Sequence, residues 1–195
     1  MKIKEIFIDV ETTGDNKYLH NIWSISAIVA IDGIKMETRT WKMNPNLDYA
    51  NFEMMQAKLG ISKEDLQEFD KPEVAILSFI NFLGNYVDHE NGKDRFFFIA
   101  FNSRFDFDFV IKWFTDCNKR KFFFNNFYSA HICVSILAAF TLQKIVPLLP
   151  NFKLETLAEL FGLEYDAHDS ESDINVTYEI YRNLQNVLTI NKGKL

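Results

Sequence analysis

Two strand-like runs, IWSISAIVAI (22–31) and KMETRTWKM (35–43), lie on either side of Asp32-Gly33. Asp-Gly suits a tight turn whose central residues take positive φ, the geometry whose twist matches that of two antiparallel strands. The stretch therefore predicts a hairpin. Just upstream, Ile6 to Val10 is almost continuously apolar, as a strand covered on both faces reads. The three runs predict an antiparallel meander, which limits the chain to folds built on a sheet.

Beyond the meander the pattern is mostly helical. Residues 44–70 read as a connection with short helices, broken by Pro45 and Gly60. From Pro72 onward, Ile76, Phe79, Ile80, Leu83 and Val87 recur at helical spacing, with proline suited to the first turn. RFFFIAF (95–101) is a second buried-strand candidate, and DFDFVIKWF (106–114) pairs Phe109 with Trp113 and Val110 with Phe114 on one helical stripe. KLETLAELFG (153–162) predicts a helix closed by Gly162. A final helix carries Ile174, Thr177, Tyr178, Tyr181, Leu184 and Leu188 along one face. The expected fold is α/β, a mixed β-sheet of a three-strand antiparallel meander plus parallel strands, flanked by α-helices. A length of 195 residues fits a single domain over 1–190, with 191–195 as a frayed tail.

Composition removes several function classes. Cys117 and Cys133 have no metal-ligand spacing and are too few for a secreted disulfide framework, so a cytoplasmic setting is the expectation. No signal peptide is visible, and no apolar run approaches the roughly 18 residues of a membrane span. The net charge of −6 disfavours a protein that coats duplex nucleic acid, because such binding rests on Lys and Arg displacing phosphate counterions. A nuclease built on acidic residues stays open, since bound metal cancels that charge locally.

Three islands carry chemistry: FIDVETTG (7–14), AFNSRFDFDF (100–109) and HDSESDI (168–174). Strand residues two apart share a face, so Asp9 and Glu11 should project together. At ~4 Å two such charges repel by ~4 kcal/mol even at an effective dielectric near 20, and a divalent cation would offset that repulsion. Asp106 falls at the start of a helix after a buried strand, with Asp108 as a rival carboxylate. Ser170 and Asp173 have the spacing of a helix capping pair, yet Asp173 also sits in the first turn beside the apolar stripe and can face the sheet. His168 lies in the loop before that helix, whereas His20, His89 and His131 read as structural or exposed. Lys119, Arg120 and Lys121 form one compact basic run, which reads either as a solvated loop or as a phosphate contact.

In this order the islands resemble the three motifs of the DEDDh branch of the DEDD 3′-to-5′ exonucleases, a ribonuclease-H-like family. D-x-E-T-T-G matches Asp9 to Gly14, H-N-x-x-F-D matches at Asn102, Phe105 and Asp106, and H-x-x-x-x-D matches His168 and Asp173. Phe101 stands where many relatives have His, and Ser170 where Ala is usual. Tyr165 and Asp169 offer a competing register with the spacing of the tyrosine branch. The resemblance spans residues 5 to 188. It implies that Asp9, Glu11, Asp106 and Asp173 hold two divalent cations, Mg²⁺ or Mn²⁺, and that His168 is a general base. Thr12, Thr13 and Asn102 would then bind substrate: the 3′ end of single-stranded DNA or RNA, with DNA favoured. A DNA polymerase is a further expected partner. A silent end-binding or polymerase-binding module and a ribonuclease-H-like endonuclease are the alternatives.

Overall fold

The structure, a computed structural model, describes residues 2–45, 60–88, 90–165 and 170–192. The Asp-Gly turn is formed as its residues require: Asp32 (φ 50°) and Gly33 (φ 82°) both have positive φ. They join β2 (Ile22–Ile31) to β3 (Ile34–Lys42), with Ile31 paired to Ile34. β1 (Lys4–Thr12) runs antiparallel to β2, which completes the meander.

The other edge of β1 accepts a parallel strand, β4 (Phe96–Ala100), and β4 in turn accepts β5 (Phe127–Cys133). The five-stranded order is β3-β2-β1-β4-β5, so β1 is central. Both faces of β1 are covered, the physical reason for its nearly unbroken apolar sequence. Ile6, Ile8 and Val10 join a core with α2 (Pro72–Gly84) and α3 (Ser103–Asp116). Phe7 joins a second core with α5 (Val134–Thr141), α6 (Leu154–Leu160) and α7 (Ser170–Lys192). Burying an aromatic or branched side chain of this size contributes about 1.5–3 kcal/mol. The abundant Phe residues serve this purpose: Phe98 packs edge-on against Phe127, and Phe114 against Phe79 and Phe123.

Two short helices occupy connections. α1 (Lys63–Glu68) lies after the meander and starts on a reciprocal cap between Ser62 and Asp65; α4 (Arg120–Asn126) links α3 to β5. α2 ends at Gly84, three residues short of Val87, which stays buried. α6 is closed by Gly162 at φ 66°, as its sequence predicts. Of the expected connection at 44–70, residues 46–59 lie outside the described residues, as do His89 and the 193–195 end of the tail.

Candidate active site

The acidic residues of the first island sit on one face of β1. Glu5, Phe7, Asp9 and Glu11 alternate with Ile6, Ile8 and Val10, so both acids point to the side covered by α7. Beyond Glu11 the chain turns sharply. Thr12 Oγ1 donates to the Gly14 carbonyl at 2.7 Å, and Thr13 Oγ1 accepts from the Asn21 amide at 3.1 Å. Gly14 lets the His20 ring approach: a Cβ there would lie 2.5 Å from His20 Nε2, so a larger residue would have to displace the ring. The turn is thus locked by its own side chains.

α3 delivers Asp106. The side chain is 5% exposed, and its Oδ1 accepts the Val10 amide at 3.2 Å, so it is tied directly to the strand that bears Asp9 and Glu11. Asp108, two residues on, faces elsewhere. Lys17 (2.7 Å) and Arg104 (3.3 Å) pair with it; partial burial pushes its pKa up, and the two cations outweigh this and hold it below the usual carboxylate value. The rival carboxylate of the second island is already neutralised.

α7 delivers Asp173, and a second pair of residues sets its position. Arg182 binds the carboxylate of Glu5, which is 3% exposed, and its guanidinium lies 4.9–5.6 Å from the ring centres of Phe7, Tyr178 and Tyr181. From Glu5 to Asp9 is four strand residues, ~13 Å, and from Arg182 back to Asp173 is nine helical residues, ~13.5 Å. The clamp at one end of β1 therefore places Asp173 beside Asp9 at the other.

Carboxylate oxygens of Asp9, Glu11 and Asp173 lie within 4.8 Å of one another, a cluster able to hold a divalent metal ion. Asp106 opens onto the same pocket as Asp9 and Asp173. The electrostatics reflect this crowding. Burial raises the Asp9 pKa well above its ordinary value, and the charges of Asp106, Glu11 and Asp173 push it further. Asp106 is driven from 3.8 to about 7 by burial, with Glu11 adding and the backbone N–H of Val10 opposing. Four acids that resist joint ionisation are a poor structural element. Three of them, Asp9, Glu11 and Asp173, are hard oxygen donors at mutual ligand distance and fit Mg²⁺ or Mn²⁺, with Asp106 beside them on the same pocket.

Around the acids the pocket is aromatic and apolar, with walls from Phe101, Phe105, Phe152, Leu154 and Tyr165, and with Asn102, Ser135, Lys153 and Glu155 as polar lining. Tyr165 hydrogen-bonds to Asp173, and its pKa is raised by burial first and then by that carboxylate. Its competing partner in the sequence, Asp169, and the expected base, His168, lie outside the described residues. Sequence reading did not single out Phe152, Lys153 or Glu155; the only pointer to them is the helix LETLAELFG that precedes the third island. Of the other histidines, His131 is structural: its Nδ1 lies 2.7 Å from Ser103 Oγ and its ring stacks on Phe107.

Solved structures share this fold. E. coli Exonuclease I in complex with a dT13 oligonucleotide superimposes with a TM-score of 0.77 at 16% identity, covering 98% of this chain and 43% of that one. A structure of exonuclease I described in terms of processivity gives a TM-score of 0.73 at 18% identity, covering 91% and 40%. The chain thus spans about two fifths of the length of these proteins. No curated protein sequence matches it. Among the described residues no helix is long and apolar enough to cross a membrane. A model of the exonuclease family that includes RNase T matches residues 6–181, the stretch from β1 through α7 that assembles the four acids, and the chain belongs to that family.

Proposed function

We propose that the chain is a metal-dependent 3′-to-5′ exonuclease that releases nucleoside 5′-monophosphates from single-stranded ends, with DNA preferred to RNA. The observation that supports this most is the convergence of acids from β1, α3 and α7: Asp9, Glu11 and Asp173 come to ligand distance, and Asp106 lines the same aromatic-walled pocket as Asp9 and Asp173. These four residues would hold two divalent cations, which when bound acidify the attacking water and neutralise charge at the scissile phosphate.

The chain's own residues supply the rest. His168 takes the proton from the attacking water, a role that an imidazole with an ordinary pKa of about 6.5 fills near neutral pH. Asn102 and the turn at Thr12 and Thr13 grip the terminal nucleotide. Thr13 is wholly buried, so it acts by fixing the turn, which Thr12 braces through its bond to the Gly14 carbonyl. Phe101, Phe105 and Phe152 give the base an apolar surface against which to stack.

Matched 3′-labelled and 5′-labelled single-stranded oligomers, incubated with Mg²⁺, Mn²⁺ or EDTA, test the reading. A 3′ label should leave at once as mononucleotide, while a 5′ label should pass down a ladder of shortening products, both only with metal. Internal cuts at early times would assign an endonuclease instead.

A further inference from the structure

α3 bears Asp106 near its start and leads away from the acidic pocket along a series of hollows. Its first turn lines the pocket through Asn102, Phe105 and Asp106. Phe105 and Phe109 line the next hollow, together with Lys17, Arg104 and Asp108. Phe109 also borders a third, of about 320 Å³, whose walls include Tyr18, Lys112, Trp113 and Cys117. The loop residues Lys17 and Asn21 are fastened across to α3, by Lys17 to Asp108 at 2.7 Å and by Lys112 to Asn21 at 2.6 Å. Tyr18, 83% exposed, stands at the lip.

At the far end lies a group of charges of the opposite sign. Cys117, on the wall of the third hollow, precedes Lys119 by two residues. Lys119, Arg120 and Lys121 have no carboxylate within ion-pair distance among the described residues. Two rings are presented beside them, Phe122 (42% exposed) and Phe124 (36% exposed), with Lys119 Nζ 5.8 Å from one ring centre and Arg120 Cζ 5.4 Å from the other. In a chain of net charge −6, three contiguous cations without an ion-pair partner among the described residues, beside two part-exposed rings, are a local reversal of sign. Cations beside part-exposed rings fit a single-stranded nucleic acid, whose phosphates and bases need both, better than an acidic peptide, which needs only the first.

We propose that α3 and α4 form the track for the single strand upstream of its 3′ end, with Lys119, Arg120 and Lys121 on phosphates and Phe122 and Phe124 stacked on bases. The proposal rests on the reading of the acidic pocket as the site that hydrolyses a 3′ end. Glu73 on the facing wall of the third hollow disfavours phosphate there, so that hollow receives bases and the cations beyond it receive the backbone. Asp106 lies ten residues before the end of α3 at Asp116, about 15 Å at helical rise, and the cations follow that end. A dinucleotide in the pocket is too short to reach the cluster, whereas a dodecamer spans the distance.

The test compares kcat/KM on a thymidine dinucleotide and a thymidine dodecamer over a range of salt, for the intact protein and for a variant carrying Lys119→Gln, Arg120→Gln and Lys121→Gln. Each single-strand phosphate contact contributes about 0.7 to the log–log salt slope, so three lost contacts should make the dodecamer slope shallower by about 2 and lower kcat/KM about 10²-fold near 0.1 M salt. Dinucleotide kinetics should not change. Phe122→Ala with Phe124→Ala should weaken the dodecamer roughly tenfold or more while leaving the slope alone. An unchanged dodecamer, or an equal loss on the dinucleotide, overturns the track, as does competition by polyglutamate as effective as that by polythymidylate. If the intact protein hydrolyses neither substrate, it is the reading of the pocket that fails.

Discussion

Asp106, like Asp9, has surroundings unfavourable to its own charge. In the metal-free protein its pKa stands at about 7 and that of Asp9 is also raised, so folding disfavours their ionised forms. A carboxyl whose folded pKa exceeds its unfolded value contributes stability that is complete below the unfolded value, 3.8, and is lost as pH rises through the folded one. The melting temperature of the metal-free protein should therefore fall between about pH 4 and pH 7 from Asp106, with Asp9 acting in the same direction, and saturating Mg²⁺ should flatten that decline. A calorimetric series with and without EDTA reads both; a metal-free protein whose stability rises across that window would contradict the account. At the same scale, His168→Ala should lower the hydrolysis rate by roughly 10²- to 10⁴-fold with little change in melting temperature. The variant should also lose the rise in rate between about pH 6 and 8 that an imidazole base produces.

At the level of elements, the site depends on how α7 registers on β1, and the clamp of Arg182 on Glu5 within the cage of Phe7, Tyr178 and Tyr181 sets that register. Arg182→Ala would leave Glu5 buried without a cation, a loss of about 3–5 kcal/mol for a broken buried pair. Mn²⁺ affinity should fall with it, measured at a temperature where the variant is still folded, and unaltered affinity would show that the clamp has no part in placing Asp173. Elements differ in how openly the sequence announces them. β1, β2 and β4 are buried on both faces and read as apolar runs, and the Asp32-Gly33 turn fixes the hairpin by local chemistry alone. β5 does not read so: it is an edge strand, and Ser129, Ala130 and His131 break any apolar pattern. α5 is equally hidden, because Ile136 and Phe140 are apolar but exposed, which blurs its helical stripe. Among site residues, Asp9, Glu11, Asp106 and Asp173 are legible because motif and spacing reside within short segments. Phe152, Lys153 and Glu155 enter the pocket only through the packing of α6 across the sheet, a long-range fact that no local pattern encodes. The reason for Gly14, its closeness to the His20 ring, is likewise tertiary.

For the molecule as a whole, two cores clamp a central strand from opposite sides, and the end of that strand is where charge is concentrated. The cores pin β1, α3 and α7 independently, so the four acids cannot separate to relieve their repulsion without disturbing packed side chains. Bound cations would relieve it instead. The most direct measurement is a Mn²⁺ titration followed by thermal melting, for the intact protein and for Asp9→Asn. A ligand at a hundred times its dissociation constant stabilises by about 2.7 kcal/mol, which at 2–4 °C per kcal/mol amounts to a rise of about 5–10 °C. The account predicts that rise in the intact protein and its near-complete loss in Asp9→Asn, with the metal-free variant at least as stable as its parent. A melting temperature indifferent to Mn²⁺, or a rise that survives Asp9→Asn unchanged, would contradict it.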